Sequence, residues 1–395
     1  MEATIMTSAL MNNYKRLPVS FVRGEGSYLY DQAGKRYLDG VSGIAVCGLG
    51  HAHPELAKVL AEQAHTLWHV SNVFDIPEQE RVAQTLCALS GMERAFFCNS
   101  GAEANEAALK LSRLHARARG IERPVVISFQ GSFHGRTFGA MAATGNAKIR
   151  TGFEPMLDSI IHLPYNDLDA VTAQAANGNI VAVIVEGIQG EGGVSVASGE
   201  FMRGLRALCD AHHWLLIVDE IQAGMARSGQ WFCYQHHDIL PDIITLAKGL
   251  GNGLPIGACL ARGDAAHYFQ PGMHGTTFGG GPLVMRIVEE TLAIYQRDNL
   301  CARAAALGDY LRQQIENKLK PLDAVVHVRG KGLMVGIELA APIDGLALRG
   351  LEKGVIFNVT ADKVIRLLPA LTITESELAH IVDTIRQVIE ENDKK

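Results

Sequence analysis

The stretch Ile243-Ile244-Thr245-Leu246-Ala247-Lys248-Gly249 decides the fold of this chain, because it places one lysine where an apolar run meets a glycine-rich turn. The run 243–247 is rich in β-branched side chains and is bounded by Pro241 and the glycines, which predicts a short buried strand. A lysine at the end of such a strand is partly desolvated, so its pKa falls and its amine can attack a carbonyl. By position alone, Lys248 is more typical of a lysine whose charged end reaches solvent from a strand end. The rest of the chain decides between these two interpretations.

The composition is that of an ordinary soluble protein with a large core. The chain has 395 residues, of which 48% are hydrophobic and 20% charged, and it contains 41 glycines. That length is sufficient for two domains. The formal net charge of −6 argues against a nucleic acid or an anionic membrane as a partner.

The cysteines and the first residues favour a cytoplasmic protein. The seven cysteines are scattered and form no Cys-x-x-Cys pair, which is typical of reduced thiols that pack in the core. The N-terminal residues carry neither a basic region nor an Arg-rich amphipathic pattern, so we expect no targeting peptide. No apolar run approaches the roughly 20 residues that a membrane span requires.

Strand and helix patterns alternate through the middle of the chain. A small antiparallel hairpin unit is predicted within 14–46, and Asp75, Pro77 and Glu78 signal the start of a helix that ends near Ser90. The predicted strands are 95–98, 125–129, 180–186, 215–219, 243–247 and 256–261, with helices at 102–118 and 201–212 among them. Continuous apolar strands that alternate with helices predict a mostly parallel sheet covered on both faces.

The C-terminal part has a different pattern. It contains a periodic stretch near 283–297, a helix at about 301–318, a strand at 332–339 and a final helix opened by the capping box Thr374-x-x-Glu377. The sequence therefore predicts an α/β protein with a large domain at about 50–290. The residues 1–49 and 291–395 are expected to form a smaller α+β domain.

Polar residues follow several of these strands, and ligands bind at the carboxyl ends of the strands in such sheets. Ser100-Gly101-Ala102 opens a helix, where free backbone N–H groups can hold a phosphate, although the same turn is also typical of an ordinary helix cap. Phe133 could stack on a flat ring or simply pack in the core. Arg136 suits a carboxylate, or a surface ion pair.

Asp219 ends a buried strand, where a carboxylate is costly unless a cation or several hydrogen bonds compensate it. A protonated pyridine nitrogen would be such a cation, and the carboxylate would keep the ring protonated as an electron sink. Asp219 as a loop cap is the alternative. Gln222 could donate to a ring hydroxyl, or it could be solvated.

Taken together, these motifs resemble the ordered signature of the class III, ω-type pyridoxal-phosphate aminotransferases. The motifs are Ser100-Gly101-Ala102-Glu103-Ala104-Asn105, Phe133-His134-Gly135-Arg136-Thr137, Glu186-x-x-Gln189-Gly190-Glu191-Gly192-Gly193, Asp219-Glu220-x-Gln222, Lys248-Gly249 and Gly275-Thr276-Thr277-Phe278-Gly279-Gly280. Each motif alone is weak, but their order and spacing extend over the whole predicted large domain.

The resemblance implies a fold-type I transferase with a seven-stranded-type sheet, and a homodimer whose active sites lie between the subunits. It implies pyridoxal 5'-phosphate as cofactor, with Lys248 as the residue bonded to it and Asp219 as the partner of the ring nitrogen. The other cofactor contacts that it implies are Ser100, Gly101, Ala102, Phe133, Gln222 and, from the other subunit, Thr277. The substrate contacts that it implies are Tyr14, Arg136, Glu191, Thr276 and Arg366.

Two positions depart from the family pattern. Gly281 stands where relatives often carry asparagine, and Ala102 stands where many carry threonine. Neither change removes a catalytic group, but the missing hydroxyl at Ala102 is expected to weaken phosphate binding slightly.

Within the family, the stretch Ser42-Gly43-Ile44-Ala45-Val46 most resembles the members that act on N2-acetylornithine. Ornithine δ-aminotransferases carry a tyrosine where Ile44 falls, placed to bind a free α-amino acid head. Isoleucine offers no hydrogen bond, so it suits a donor whose α-amine is acylated. Succinylornithine, N-succinyl-diaminopimelate, ornithine and 4-aminobutyrate remain alternative donors.

The co-substrate that the resemblance implies, 2-oxoglutarate, has two carboxylates, and Arg136 and Arg366 are the candidates to bind them. An unmasked Arg366 would also attract the wrong end of the amino donor. In the family the glutamate that matches Glu191 pairs with this arginine and masks it. A solvated loop charge is the alternative for Glu191, but its neighbouring glycines favour close approach of the backbone to a ligand.

The resemblance also implies the reaction. The donor's terminal amine displaces Lys248 from the cofactor, the freed lysine moves a proton, and N-acetylglutamate 5-semialdehyde leaves before 2-oxoglutarate becomes glutamate.

Other classes of protein fit less well. The glycines Gly251-x-Gly253-x-x-x-Gly257 have the wrong spacing for a dinucleotide fingerprint and precede a strand rather than a helix. A non-catalytic protein of the same fold would have no use for Asp219 and Lys248 together. His51-x-His53 lacks a third ligand, so we expect a polar turn there and no metal site.

Overall fold

The computed structural model describes residues 9–393, and its first elements form the predicted hairpin unit. Strands β1 (Phe21–Glu25), β2 (Tyr28–Asp31) and β3 (Arg36–Asp39) pair antiparallel in that order. A helical turn, α1 (Ser42–Ala45), and helices α2 (Pro54–Ala64) and α3 (Pro77–Ser90) follow. The first eight residues, on which the expectation of no targeting peptide depends, lie outside the described part.

The middle of the chain supplies the large sheet and the helices that cover it. The elements are β4 (Arg94–Cys98), α4 (Gly101–Ala118), β5 (Val125–Phe129), α5 (Phe138–Ala143), α6 (Ala147–Arg150), β6 (Ile160–Leu163), α7 (Leu168–Thr172), β7 (Ile180–Glu186), β8 (Ile188–Gln189), β9 (Ser195–Val196), α8 (Gly199–His212), β10 (Leu215–Asp219), β11 (Ile243–Leu246) and β12 (Gly257–Ala261). Seven of these strands form one sheet in the order β4-β12-β11-β10-β7-β5-β6. The seven-stranded sheet of the predicted fold class is thereby confirmed.

The sheet is parallel except at β12, which runs antiparallel to both β11 and β4. All seven residues of β7 are buried, as is every residue of β10. Such continuous apolar strands are buried by helices on both faces, and this arrangement brings the carboxyl ends of β5, β7, β10 and β11 to one edge.

The C-terminal part begins with two long helices, α9 (Pro282–Arg297) and α10 (Leu300–Lys318). It continues with β13 (Val325–Lys331), β14 (Met334–Leu339), α11 (Leu346–Glu352), β15 (Val355–Ile356), β16 (Asn358–Thr360), β17 (Val364–Leu367) and α12 (Glu375–Asp393). Four of these strands form a second sheet in the order β13-β14-β17-β16. The boundary predicted at residue 290 falls inside α9, and the division into two domains stays a prediction.

A strand pair joins the N-terminal and C-terminal parts of the described chain, because β15 pairs in parallel with β3. The strand predicted at 332–339 begins at Met334, two residues later, since Gly332 has a φ of 52° and belongs to the turn between β13 and β14. Among the helices in residues 9–393, none is long and apolar enough to cross a membrane.

Candidate active site

A cavity of about 220 Å³ opens at the carboxyl ends of the parallel strands. It is lined by Gly101, Ala102, Phe133, His134, Gly135, Arg136, Glu186, Asp219, Ile221, Gln222, Ala247 and Lys248. Seven of these are site residues predicted from the sequence, namely Gly101, Ala102, Phe133, Arg136, Asp219, Gln222 and Lys248. The sheet therefore brings together residues that lie far apart along the chain.

Lys248 lies in this cavity, two residues after the end of β11, and starts a short 3₁₀ turn that continues to Leu250. Its φ of 46° is uncommon for a residue with a side chain. Desolvation lowers the pKa of its amine, Arg366 acts in the same direction, and the carboxylates of Glu191 and Asp219 oppose them. A larger fraction of neutral amine makes Lys248 a better nucleophile than an exposed lysine.

Asp219 is the last residue of β10, and it is held by hydrogen bonds from three directions. Its Oδ2 contacts Asn105 Nδ2 at 2.8 Å and His134 Nδ1 at 2.7 Å, while its Oδ1 accepts from the backbone N–H of Ile221 at 3.0 Å. Only 4% of Asp219 is exposed. These bonds compensate the cost of burying a carboxylate and fix its direction at the edge of the cavity.

Asn105 links this carboxylate to the neighbouring strands. Its Nδ2 also donates to the carbonyl of His134, and its Oδ1 accepts from Thr245 Oγ1. Asn105 and Thr245 are both fully buried, so the network is rigid. His134 Nε2 is buried and has no hydrogen-bond partner within the described part of the chain.

The N-terminus of α4 forms one wall of the cavity. Ser100 caps the helix by accepting from the N–H of Glu103, and its carbonyl accepts from Ala104. The N–H groups of Gly101 and Ala102 therefore have no partner within the helix, and with the helix dipole they favour an anion.

Phe133 and Arg136 lie in the loop between β5 and α5, and both line the cavity. The Arg136 guanidinium stands 5.7 Å from the centre of the Phe133 ring, which is a cation–π distance. Arg136 is exposed and Phe133 is half-buried. The ring can therefore contact a flat ligand in the cavity while the guanidinium faces an incoming carboxylate.

Glu191 and Arg366 form an ion pair, with Glu191 Oε1 2.6 Å from Arg366 Nη1. Arg366 lies in β17 with 1% of its side chain exposed, whereas Glu191 lies in the β8–β9 loop with 30% exposed. Burial would raise the pKa of Glu191, but the Arg366 guanidinium holds that pKa below its usual range. The glutamate is therefore charged at neutral pH.

Gln222 connects this ion pair to the cavity, because its Oε1 accepts from Arg366 Nη1 at 3.1 Å. Asn358 accepts from Arg366 Nε at 3.3 Å. A Cβ on Gly190 would lie 1.9 Å from Gln222 Oε1, so any other residue there would displace the Gln222 amide that contacts Arg366. The glycine approaches the Gln222 side chain, and the predicted approach of this loop to a ligand stays a prediction.

Glu186 is a buried carboxyl group in the cavity that sequence reasoning assigned no role. It ends β7 beside Asp219 on β10, and its Oε2 accepts from the N–H of Phe133 at 3.1 Å. Burial and the neighbouring Asp219 raise the pKa of Glu186 well above its usual range. Glu186 therefore ties the loop that carries Phe133 to the end of β7.

The remaining predicted residues do not line the Lys248 cavity of the same chain. Thr276 and Thr277 border two other cavities, of about 710 Å³ and 370 Å³. Thr276 Oγ1 accepts from Asn99 Nδ2, and Thr277 is exposed. Tyr14 is 67% exposed and contacts Arg16. Their roles stay predictions.

The residues that sequence reasoning missed are Asn105, His134 and Glu186. All three stand within the motifs quoted above: Glu186 ends β7, His134 lies in the loop after β5, and Asn105 lies in the second turn of α4. A polar residue in such a place needs a buried partner, which was the available signal. As for metals, no group of three or more His, Cys, Asp or Glu in residues 9–393 is arranged to hold an ion, and His51 pairs with Asp39.

The model of one protein family, described as aminotransferase class-III, matches residues 9–389. Because this match extends over nearly the whole chain, the chain belongs to the class III aminotransferases. The predicted family and kind of enzyme are confirmed, together with the predicted cofactor, pyridoxal phosphate. Enzymes of this class act on an amino donor and a keto acid.

Two acetylornithine aminotransferases are similar to this chain over nearly its full length. The chain is 50% identical over 383 residues to an acetylornithine aminotransferase of Nitrosomonas europaea, covering 97% of this chain and 98% of that protein. It is 46% identical over 382 residues to the acetylornithine aminotransferase of Bacillus subtilis, covering 97% and 98%.

Solved structures share the fold. The ornithine aminotransferase of Toxoplasma gondii superposes with a TM-score of 0.94 at 30% identity, covering 98% of this chain and 94% of that chain. The acetylornithine aminotransferase of Elizabethkingia anophelis superposes with a TM-score of 0.86 at 34% identity, covering 96% of each chain.

The residues of the cavity fit pyridoxal phosphate. The free N–H groups at the start of α4 suit a phosphate, the Phe133 ring suits a flat pyridine, and the anchored Asp219 carboxylate suits a protonated ring nitrogen. Gly135 allows its loop to approach the start of α4 closely, since a Cβ on Gly135 would lie 2.7 Å from the Cβ of Ala102. Lys248 supplies the amine for a covalent bond.

Proposed function

We propose that this enzyme transfers the terminal amine of N2-acetyl-L-ornithine to 2-oxoglutarate. The products are N-acetyl-L-glutamate 5-semialdehyde and L-glutamate, and the reaction is a step of arginine biosynthesis. The observation that carries this proposal is the 50% identity to an acetylornithine aminotransferase over nearly the full length of both chains. The Lys248 cavity and the Glu191–Arg366 pair support it independently, because they provide for both halves of such a reaction.

The choice of an acylated donor is supported by Ile44. This residue is 39% exposed and belongs to the turn α1, which packs beside Gly249, the neighbour of Lys248. An isoleucine contacts an acyl group favourably but leaves a charged α-amine without a partner. Free ornithine should therefore be the poorer donor, although ornithine aminotransferases share the fold.

Lys248 and Asp219 perform the central chemistry in this proposal. When bound, pyridoxal phosphate would supply an electron-withdrawing ring that stabilises negative charge at the reacting carbon. Asp219 would favour a protonated ring nitrogen through its charge, and Asn105 and His134 hold its carboxylate in place. Lys248 Nζ, with its lowered pKa, would take the proton from the substrate carbon that bears the amine and would deliver it to the cofactor.

Arg366 and Glu191 distinguish the two substrates. While Glu191 is paired with Arg366, the positive charge of the guanidinium is neutralised. The carboxylate of the amino donor is then not attracted to Arg366. When 2-oxoglutarate enters, its second carboxylate competes with Glu191 for the guanidinium. Glu191 is partly exposed on a loop, so it can move away, whereas Arg366 is buried and fixed by Gln222 and Asn358.

We infer that the enzyme is a homodimer with shared active sites. Exposed apolar side chains support this inference, since Trp68, Val73, Phe74 and Phe278 are each more than half exposed, between 64% and 81%. Asn72 Nδ2 donates to the carbonyls of Thr276 and Gly279, so these segments form one continuous surface. Such a surface is typical of a subunit interface, and Thr277 on it is available to a partner's phosphate site.

Mixing two inactive or weakened variants tests the shared site. Lys248→Ala subunits keep Thr277, and Thr277→Ala subunits keep Lys248, so each mixed dimer would regain one complete site. Tight cofactor binding should reappear on mixing. Its failure to reappear in dimers of proven mixed composition would contradict the shared site. The cytoplasmic location stays a prediction.

Steady-state rates with 2-oxoglutarate and a series of donors test the proposed function. Acetylornithine should give the highest kcat/KM, ahead of succinylornithine, ornithine, N-succinyl-diaminopimelate and 4-aminobutyrate. A higher kcat/KM for ornithine would overturn the choice of donor, and turnover of none of them would overturn the reaction.

A further inference from the structure

The turn α1 has an unusual backbone. Its four residues, Ser42, Gly43, Ile44 and Ala45, all have positive φ, at 45°, 67°, 64° and 62°. They form one turn of left-handed helix, although three of them carry a Cβ. Left-handed residues with side chains occur singly as a rule, because the Cβ approaches the carbonyl oxygen too closely. Something outside the turn must hold it in this conformation.

Asp39 is the anchor of the turn. Its Oδ1 accepts from the N–H groups of Val41 and Ser42, at 2.8 Å and 2.9 Å. Asp39 is the last residue of β3 and is 4% exposed. The carboxylate therefore fixes the entry to the left-handed turn from a rigid strand end.

His51 holds Asp39 in turn. Its Nε2 lies 2.8 Å from Asp39 Oδ2, and its backbone N–H and carbonyl bond to Gly26. The hydrogen bond with Asp39 raises the pKa of His51 to about 9, so the ring is charged at neutral pH and donates to the carboxylate. Asp39 thus binds the turn with Oδ1 and the charged His51 ring with Oδ2.

The other side of the turn is fixed to the active site. Ser42 Oγ donates to the carbonyl of Leu368 at 2.6 Å, two residues after Arg366. A Cβ on Gly249, next to Lys248, would lie 3.6 Å from the carbonyl oxygen of Ala45. The turn is therefore held between the strand that carries Arg366 and the turn that carries Lys248.

We propose that His51 and Asp39 are positioning residues for donor selection: they hold the left-handed turn so that Ile44 stands at the acyl end of the donor. This inference rests on the proposed function, because it takes the donor to be acylated. It assigns a role to two residues that neither touch the cofactor cavity nor form a metal site. The strained turn is stable only while Asp39 accepts its N–H groups and Ser42 donates to Leu368. Loss of either contact would let Ile44 move.

His51→Ala, His51→Gln and Ser42→Ala test the proposal, with His53→Ala as the control for a neighbouring histidine outside the pair. The KM and kcat of each variant are measured for acetylornithine, ornithine and 2-oxoglutarate. Loss of a hydrogen bond to a charged group should raise the KM for acetylornithine in His51→Ala on the order of tenfold, and lower the preference over ornithine by a similar factor. The kcat and the KM for 2-oxoglutarate should stay near those of the wild type. His51→Gln should restore most of the preference, since its amide can donate to Asp39, and His53→Ala should behave as the wild type.

Equal losses with both donors and 2-oxoglutarate would overturn the proposal, because a general loss of structure acts on every substrate. An unchanged donor preference in His51→Ala would overturn it as well. If His51→Ala does not fold, Ser42→Ala decides, because that variant removes only the tie to Leu368 and should shift the preference in the same direction. A wild type without preference for acylated donors would instead refute the proposed function. The backbone of residues 42–45 in crystal structures then decides on the positioning role. The left-handed turn should be kept in His51→Gln and altered in Ser42→Ala, and an unaltered turn in Ser42→Ala would reject the proposal.

Discussion

Replacing Glu191 by alanine should change the two halves of the reaction in opposite directions. In the wild type, Glu191 Oε1 lies 2.6 Å from Arg366 Nη1, and 1% of the arginine side chain is exposed. The variant leaves a buried guanidinium whose described neighbours Gln222 and Asn358 are uncharged. The donor's carboxylate is then attracted to Arg366, and the donor binds with its terminal amine away from Lys248.

The size of the effect follows from the bond that is lost. A hydrogen bond between charged groups contributes roughly 1.5–3 kcal/mol, which corresponds to roughly tenfold to a hundredfold in a binding constant. The half-reaction with acetylornithine should slow by a factor in this range. The half-reaction with 2-oxoglutarate needs Arg366 without its mask, so it should be unchanged or faster.

Single-turnover kinetics measure the two halves separately, with acetylornithine added to the aldehyde form and 2-oxoglutarate added to the amine form. Glu191→Gln is the conservative variant, since it keeps the shape and a carbonyl acceptor, and it should lie between alanine and the wild type. Glu338→Gln is a matched control, because Glu338 pairs with Arg329 and Lys363 outside the cavity. Equal slowing of both halves in Glu191→Ala would refute the reasoning and leave Glu191 a structural residue.

Three further predictions follow from the site and the turn. Lys248→Ala should bind the cofactor without a covalent bond and lose nearly all turnover, because both the attachment and the proton transfer depend on this amine; substantial activity in the pure variant would exclude the assignment. Asp219→Asn should keep the fold and lose most activity, since it removes only the charge beside the ring nitrogen; stopped-flow measurement of the first half-reaction is the test, and an unchanged rate would contradict it. The pair of His51 and Asp39 should stabilise the fold on the order of 1–2 kcal/mol below the ordinary histidine pKa of 6.5, and this contribution should be lost as the pH rises through about 9. Urea unfolding of wild type and His51→Gln at both ends of that range would show it, and a difference independent of pH would count against it.

The large sheet was predictable because its strands are recognisable from local sequence alone. The strands Val125–Phe129, Ile180–Glu186 and Leu215–Asp219 have the predicted bounds, since each is a short apolar run that ends at a polar or aromatic residue. Lys248 and Asp219 were identifiable for the same reason, because a charged residue at or near the end of a buried strand is unusual. Both line the cavity at the carboxyl ends of the parallel strands.

Contacts between distant parts of the chain could not be predicted from local patterns. His134 and Asp219 are 85 residues apart, and the hydrogen bond between them depends on how β5 and β10 are placed in the sheet. The composition of Ser42–Ala45 does not predict a left-handed turn, because only one of its residues is glycine. It exists through contacts with Asp39 and Leu368, which the tertiary structure supplies.

The central claim is that the terminal amine of acetylornithine moves to 2-oxoglutarate through this site. Acetylornithine with heavy nitrogen in its terminal amine, incubated with 2-oxoglutarate and the purified enzyme, tests it most directly by mass spectrometry of the products. We expect the label to appear in the amine of glutamate at the rate at which the semialdehyde forms, and we expect Lys248→Ala to abolish the transfer. Label released as ammonia, or glutamate formed without label, would contradict it.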